Sequence, residues 1–225
     1  MRPKEQDLIS PLQRELLGYF FALPDAEKFY LTGGTALAEY YLGHRRSFDL
    51  DLFCAEKPLI LPFSRNVETE WGKNFRVKVI RRFETFVELV VESGESVKIQ
   101  MALDSPFRFE PPVAMANDIL VNDFRDLAAD KLLAFFGRTE PRDAVDLHFI
   151  LNHIELAPLQ ELASRKDPGF DPYWLSVAFS RTRDFPDDIS QWPVEMVRQR
   201  DAREIKNDFA RLAIEVMRSI RNRGR

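Results

Sequence analysis

The chain has 225 residues, 45% of them hydrophobic and 30% charged, with a formal net charge of −4 at neutral pH. That balance describes a folded protein with a sizeable core; it excludes a disordered chain and one that coats nucleic acid by charge alone. One cysteine and three histidines exclude an internal disulfide and a thiolate or imidazole metal centre, so a metal here must sit on carboxylate oxygens.

The opening MRPKEQDLIS lacks the apolar segment of a signal peptide, and no later run reaches the ~18 apolar residues of a membrane span, so a cytoplasmic location is expected. Ser10, Pro11 and Gln13 form a helix start: a capping hydroxyl, a proline suited to the first turn, and the capping-box glutamine. Leu12, Leu16, Leu17, Phe20 and Leu23 follow at helical spacing, which predicts a packed helix. A short strand at 29–31 runs into Gly33-Gly34, then a helix over 35–42 that Gly43 ends. After the polar turn 44–47, residues 48–53 alternate apolar and acidic, the pattern of a strand with one charged face. A helix is predicted over 64–75, then strands over 76–83, 85–92 and 96–103, the last two joined as a hairpin around 93–95. A proline-containing loop at 106–112 precedes a short apolar segment at 119–121. From there the pattern is helical: 123–138, 142–152, 158–166, 172–182, and a long helix from 193 to about 221. Strands first and helices later predict an α/β lobe over residues 1–121 and a helical lobe over 122–225, with no internal repeat.

The chemistry concentrates early in the chain. Residues two apart on a strand share a face, ~6–7 Å from each other, so Asp49 and Asp51 can hold one or two divalent cations together. Their mutual repulsion is relieved by such a cation, Mg²⁺ or Mn²⁺, and so the pair makes most chemical sense with metal. Upstream, Gly33, Gly34 and Thr35 lead from a strand directly into a helix and let backbone N–H groups approach a phosphate. The turn lacks the lysine of a Walker loop and the third glycine of a dinucleotide fingerprint, so the metal pair must supply what those motifs would. Alone, an Asp-Leu-Asp is often a solvated strand end and Gly-Gly a tight turn; in this order each answers the other's chemical need.

Gly33-Gly34-Thr35, then Arg45, Ser47 and Asp49-Leu50-Asp51-Leu52, resemble the signature of the DNA-polymerase-β-like nucleotidyltransferase superfamily, and specifically the AbiEii/AbiGii toxin family of bacterial abortive-infection and toxin–antitoxin systems. Lys131, within Asp130-Lys131-Leu132-Leu133-Ala134, and Arg142-Asp143-Ala144-Val145-Asp146-Leu147 look like that family's third and fourth motifs. The resemblance implies an α+β fold: a minimal nucleotidyltransferase lobe with a mixed sheet, then a helical C-terminal lobe. It also implies NTP and Mg²⁺ as substrate and cofactor, transfer of a nucleotide to an RNA acceptor such as tRNA, and a separate antitoxin. On this reading Asp49 and Asp51 ligate the metal, and Gly33, Gly34, Thr35 and Ser47 hold the triphosphate. Arg45 and Lys131 neutralise its charge, and Asp143 and Asp146 join the catalytic set. A small-molecule acceptor is the enzymatic alternative.

Taken on their own, the downstream residues are less specific. Lys131 has no charged residue at i−4 or i+4, so no local ion pair is expected, and a solvated lysine reads equally well. Arg142 and Asp146 are spaced to pair with each other. Nucleotidyltransferases often carry a third metal carboxylate on a later strand, whereas the outward face of 96–103 carries Lys98 and Gln100. A glutamine offers a carbonyl oxygen but cannot act as a general base. Either Asp104, Asp143 or Asp146 completes the site, or the protein binds nucleotide and turns it over poorly. His44 fits a polar loop as well as a substrate contact, Cys54 reads as a buried small residue, and Phe170, Trp174 and Phe179 read as helical-lobe core. The arginines at 218, 221, 223 and 225 give the tail a basic end, read as a solvated helix end or an RNA contact.

Overall fold

A computed structural model describes residues 1–223; Gly224 and Arg225, the last part of the basic tail, lie outside the described residues, as does the Arg223 side chain. The chain divides into two compact units, Arg2–Phe124 and the residues from Arg125 onward.

In the first unit, helix α1 (Pro11–Phe21) begins with the reciprocal capping box expected from its sequence, Gln13 N donating to Ser10 Oγ at 3.1 Å and Ser10 N to Gln13 Oε1 at 2.9 Å. Strand β1 (Phe29–Thr32) enters α2 (Gly33–Leu37), which widens into a π turn over Ala38–Leu42 before Gly43 stops it at φ +59°. The helix thus starts two residues earlier than predicted and changes type midway. Strand β2 (Asp49–Cys54) and helix α3 (Ile60–Trp71) follow, then β3 (Arg76–Phe83), β4 (Phe86–Ser93), β5 (Glu95–Leu103), β6 (Val113–Ala114) and β7 (Leu120–Val121). Helix α3 was expected at 64–75; it begins at Ile60 because Pro62 falls in the first turn, where no N–H is required of it.

The seven strands form one mixed sheet in the order β3-β4-β5-β2-β1-β7-β6, with β2 parallel to β5 and β1 parallel to β7. On one face Leu31, Leu50, Leu52, Leu89, Ile99 and Met101 are completely buried. α1 and α3 lie against the sheet and supply Leu16, Leu17, Phe20, Val67 and Trp71 to the core. Phe20 packs edge-on to Phe29 at 5.4 Å and Phe29 lies 4.4 Å from Phe63. Each such buried side chain stabilises the unit by ~1.5–3 kcal/mol, which fixes the sheet against its helices.

The second unit is helical: α4 (Phe124–Arg138, which starts at the unit boundary), α5 (Pro141–Ile150), α6 (Leu156–Lys166), α7 (Pro172–Arg181) and α8 (Ala202–Arg223). Phe135, Phe179 and Phe209 form its aromatic centre, Phe135 stacking on Phe209 at 5.2 Å. Phe170 and Phe179 are buried as expected, whereas Trp174 is 57% exposed and does not belong to the core. The last helix starts at Ala202 rather than 193: residues 193–201 are irregular, and Asp201 Oδ1 accepts from Arg203 N at 2.8 Å to open the helix. Among the described residues no helix is long and apolar enough to cross a membrane.

Candidate active site

β2 lies between β1 and β5, and its alternation places Leu50, Leu52 and Cys54 in the core and Asp49 and Asp51 on the opposite, partly open face. Strand register then fixes the neighbours of the two carboxylates: Asp49 stands opposite Lys98, and Asp51 stands between Gln100 on β5 and Thr32 on β1. Lys98 Nζ lies 2.8 Å from Asp49 Oδ2. Thr35, buried at the start of α2, donates its hydroxyl to the Asp49 backbone carbonyl and so ties the helix to the carboxylate strand.

The two glycines are required by what stands against them. Gly33 has φ +69°, and a Cβ built on it would fall 2.0 Å from Asp51 Oδ2. A Cβ on Gly34 would lie 2.6 Å from Arg45 Nη2 and 2.9 Å from Ser47 Oγ. Gly33, Gly34, Thr35, Arg45, Ser47, Asp49 and Asp51 therefore occupy one place in the first unit. Arg45 is buried and donates to the Arg46 carbonyl at 2.9 Å. His44 is fully buried, which replaces its reading as a polar loop residue.

Two residues missed from the sequence border this place. Glu88 on β4 stands opposite Gln100, and Gln100 Nε2 donates to Glu88 Oε2 at 3.0 Å. Counting outward equally from the turn at Gly94 gives that pairing, so the signal was present in the hairpin. Asn122 donates to Thr32 Oγ1 at 2.9 Å, accepts from Arg108, and receives the Tyr41 hydroxyl on its carbonyl at 2.9 Å. The Arg108 guanidinium lies 3.9 Å over the Tyr30 ring. Asp104 is engaged in the same network: its Oδ2 accepts the Tyr30 hydroxyl and its Oδ1 accepts Ser105 N at 2.8 Å. Asp104 thereby belongs to the network of Tyr30 and Arg108.

In the second unit, Lys131 has partners that local spacing did not reveal. Its Nζ lies 2.7 Å from Asp146 Oδ2 and 3.6 Å from Asp143 Oδ1, with both carboxylates fully buried on α5. Arg138 grips Asp143 through Nε at 2.6 Å and Nη2 at 2.9 Å. Arg142 pairs with Glu140 at 2.8 Å, not with Asp146 as its spacing suggested. Asp143 and Asp146 thus act on Lys131 and Arg138 within their own unit. Among the described residues no group of three or more His, Cys, Asp or Glu is arranged to hold a metal.

The geometry can be set beside known proteins. The chain superposes on a candidate nucleotidyltransferase from H. pylori with a TM-score of 0.63 and 19% identity, covering 94% of each chain. JHP933 from Helicobacter pylori gives 0.57 and 18%, covering 95% of this chain and 92% of that one. MenT4, a nucleotidyltransferase toxin from Mycobacterium tuberculosis H37Rv, gives 0.60 and 20%, covering 89% and 82%. At such identities these likenesses establish the fold, and they agree with the mixed sheet and helical unit expected. No curated protein sequence matches the chain. The profile of the family described as nucleotidyl transferase AbiEii toxin, type IV toxin–antitoxin system, matches residues 15–222, nearly the whole chain, and the protein therefore belongs to the AbiEii family of nucleotidyltransferase toxins.

Proposed function

We propose that the protein transfers a nucleotide from an NTP to an RNA acceptor at the face formed by Gly33, Gly34, Thr35, Arg45, Ser47, Asp49 and Asp51, with Mg²⁺ bound by the two aspartates. The observation that carries this reading is the closeness of Asp51 to Gly33: the carboxylate stands where a Cβ on Gly33 would fall, which supports reading the aspartate pair and the glycine turn as parts of one site. The donor set suits the ion, because two carboxylates on one strand face offer only oxygen to a hard cation and the glutamine beside them carries a carbonyl oxygen. Bound there, Mg²⁺ supplies neutralisation of the departing pyrophosphate and activation of the acceptor hydroxyl.

The chain's own residues do the positioning. The backbone of Gly33 and Gly34 admits the triphosphate closely, Ser47 Oγ offers a hydroxyl, and the Arg45 guanidinium beside Gly34 balances charge as the acceptor oxygen attacks the α-phosphate. Thr35 keeps β2 at a fixed distance from the turn through its bond to the Asp49 carbonyl. RNA is favoured as acceptor by the exposed arginines at 218 and 221 on α8 and by Arg76, Lys78 and Arg81, exposed on edge strand β3. Cytoplasmic location and control by an antitoxin protein complete the proposal, the latter following from membership of a toxin–antitoxin family.

The test is incubation of the protein with Mg²⁺, each labelled NTP in turn and total tRNA, beside Asp49→Ala. Label on RNA that disappears in the variant supports transfer. Tight NTP binding by both proteins with no labelled product would replace the enzyme by a nucleotide-binding protein on the same fold.

A further inference from the structure

The position where a third carboxylate would stand carries Gln100, and its amide is not left to choose its orientation. Glu88, one strand further from Asp51 and on the same face of the sheet, accepts a hydrogen bond from Gln100 Nε2 at 3.0 Å. A carboxylate only accepts, so the NH₂ end of the amide must turn toward Glu88 and the carbonyl end must turn away from it. β5 runs between β4 and β2, so the direction away from Glu88 is the direction of Asp51. Both side chains are partly buried, and their backbones are in register within a sheet whose opposite face is packed, which fixes the row Glu88, Gln100, Asp51.

The geometry points to Glu88 as a positioning residue that locks the Gln100 amide so that Oε1 serves as a neutral oxygen ligand to the cation held by Asp49 and Asp51. The inference rests on the metal reading above and adds to it a residue two strands away from the aspartates. The arrangement is the outer-shell logic of metal sites applied to an amide: a ligand atom is presented because the other end of its side chain is held. It also explains how a site with glutamine in this position keeps a third oxygen. Without Glu88 the amide could present its NH₂ to the cation, and the site would lose a ligand and gain a repelling dipole.

The experiment is titration of the full chain with Mn²⁺ alone, followed by electron paramagnetic resonance, for wild type, Glu88→Gln, Gln100→Ala, the double variant and Asp51→Asn. Thermal melts of each establish that the chains are folded, and Glu88→Gln keeps the side-chain volume. Glu88→Gln is expected to weaken Mn²⁺ binding ~10-fold, within the range found for outer-shell partners, and Gln100→Ala by a similar factor. In the Gln100→Ala background, the Glu88 substitution should add less than about twofold, because the amide it orients is gone. Equal factors in both backgrounds would mean that Glu88 acts by charge or by binding the ion itself, and would overturn the proposal. So would Glu88→Gln binding like wild type while Asp51→Asn loses Mn²⁺. If wild type and Asp51→Asn bind Mn²⁺ alike, it is the metal reading itself that falls.

Discussion

Lys98 places an ammonium 2.8 Å from Asp49 Oδ2, where it competes with any cation drawn to that carboxylate. Replacing it with methionine keeps most of the apolar stem and removes the competitor, so Lys98→Met should bind Mn²⁺ about threefold tighter than wild type, a modest gain because the pair is partly exposed and screened. Calorimetric titration checks this, and weaker binding would mean that the lysine supports the site. The buried cluster of the second unit behaves differently. Asp146→Ala removes the nearest partner of a lysine that is only 7% exposed, leaving its charge with Asp143 at 3.6 Å. The expected loss is ~3 kcal/mol of unfolding free energy, read from urea denaturation, and an unchanged midpoint would contradict the pairing. At this scale Asp49 and Asp51 were legible in the sequence because a period of two assigns them a common face without knowledge of any other strand. Asn122 and the partners of Lys131 were not, because each depends on a residue brought near by strand or helix packing, and Glu88 is reached only by carrying the hairpin register outward from Gly94. An acid such as Glu88 within β4 reads as a solvated position until Gln100 is placed opposite it.

Helix α2 and its π turn are held by the chain start. Glu39, 1% exposed, accepts from the backbone N–H groups of Asp7, Leu8 and Ile9 at 3.1, 2.6 and 3.2 Å, while Gln6 N donates to the Glu39 carbonyl at 2.9 Å. Glu39→Ala leaves three amides without their acceptor and is expected to cost ~2–4 kcal/mol and to open residues 2–9 to proteolysis; a chain as stable and as resistant as wild type would refute the assignment. Between α5 and α8, burial holds His148 below the ordinary histidine value, Asp208 at 3.2 Å from its Nδ1 pushing the other way and Arg200 adding to the depression. The folded histidine stays neutral where the unfolded one, titrating near ~6.5, takes a proton. Its contribution to stability is therefore present above that pH and is lost as the pH falls below it. Melts at pH 7.5 and 5.5 should show a larger drop for wild type than for His148→Gln, and equal drops would remove His148 from the account. Element positions were legible wherever caps and periodicity agreed, as at Ser10 and Gly43. They failed where a proline misled, since Pro193 looked like a helix start but the cap that opens α8 is Asp201, and where a start was placed late, as at α3, which begins at Ile60 rather than 64. The π turn has no sequence signal, since it inserts no unusual residue.

Each unit has its own aromatic core, Phe20, Phe29 and Phe63 in one and Phe135, Phe179 and Phe209 in the other; the glycine turn, Arg45, Ser47 and the aspartate pair belong to Arg2–Phe124, whereas Lys131, Asp143 and Asp146 belong to the helical unit. The later half of the sequence has one dominant, helical period, whereas the earlier half mixes helical and strand periods. What composition hid is the unevenness of charge: a chain of net −4 exposes Arg218 and Arg221 on its last helix. If RNA is the acceptor, Arg218→Ser with Arg221→Ser should lower RNA labelling at about 0.15 M salt and flatten its dependence on salt, with NTP binding unchanged. Labelling that keeps the wild-type salt slope would exclude these arginines from RNA contact.

If the glycine turn and the aspartate pair are one site, Gly33→Ala must disturb it without removing a single proposed metal ligand. The added methyl would fall 2.0 Å from Asp51 Oδ2 and must displace that carboxylate. With melts showing the variant folded, Gly33→Ala is expected to lose Mn²⁺ binding to the same extent as Asp51→Asn; a folded Gly33→Ala chain that binds Mn²⁺ like wild type would separate the turn from the aspartates.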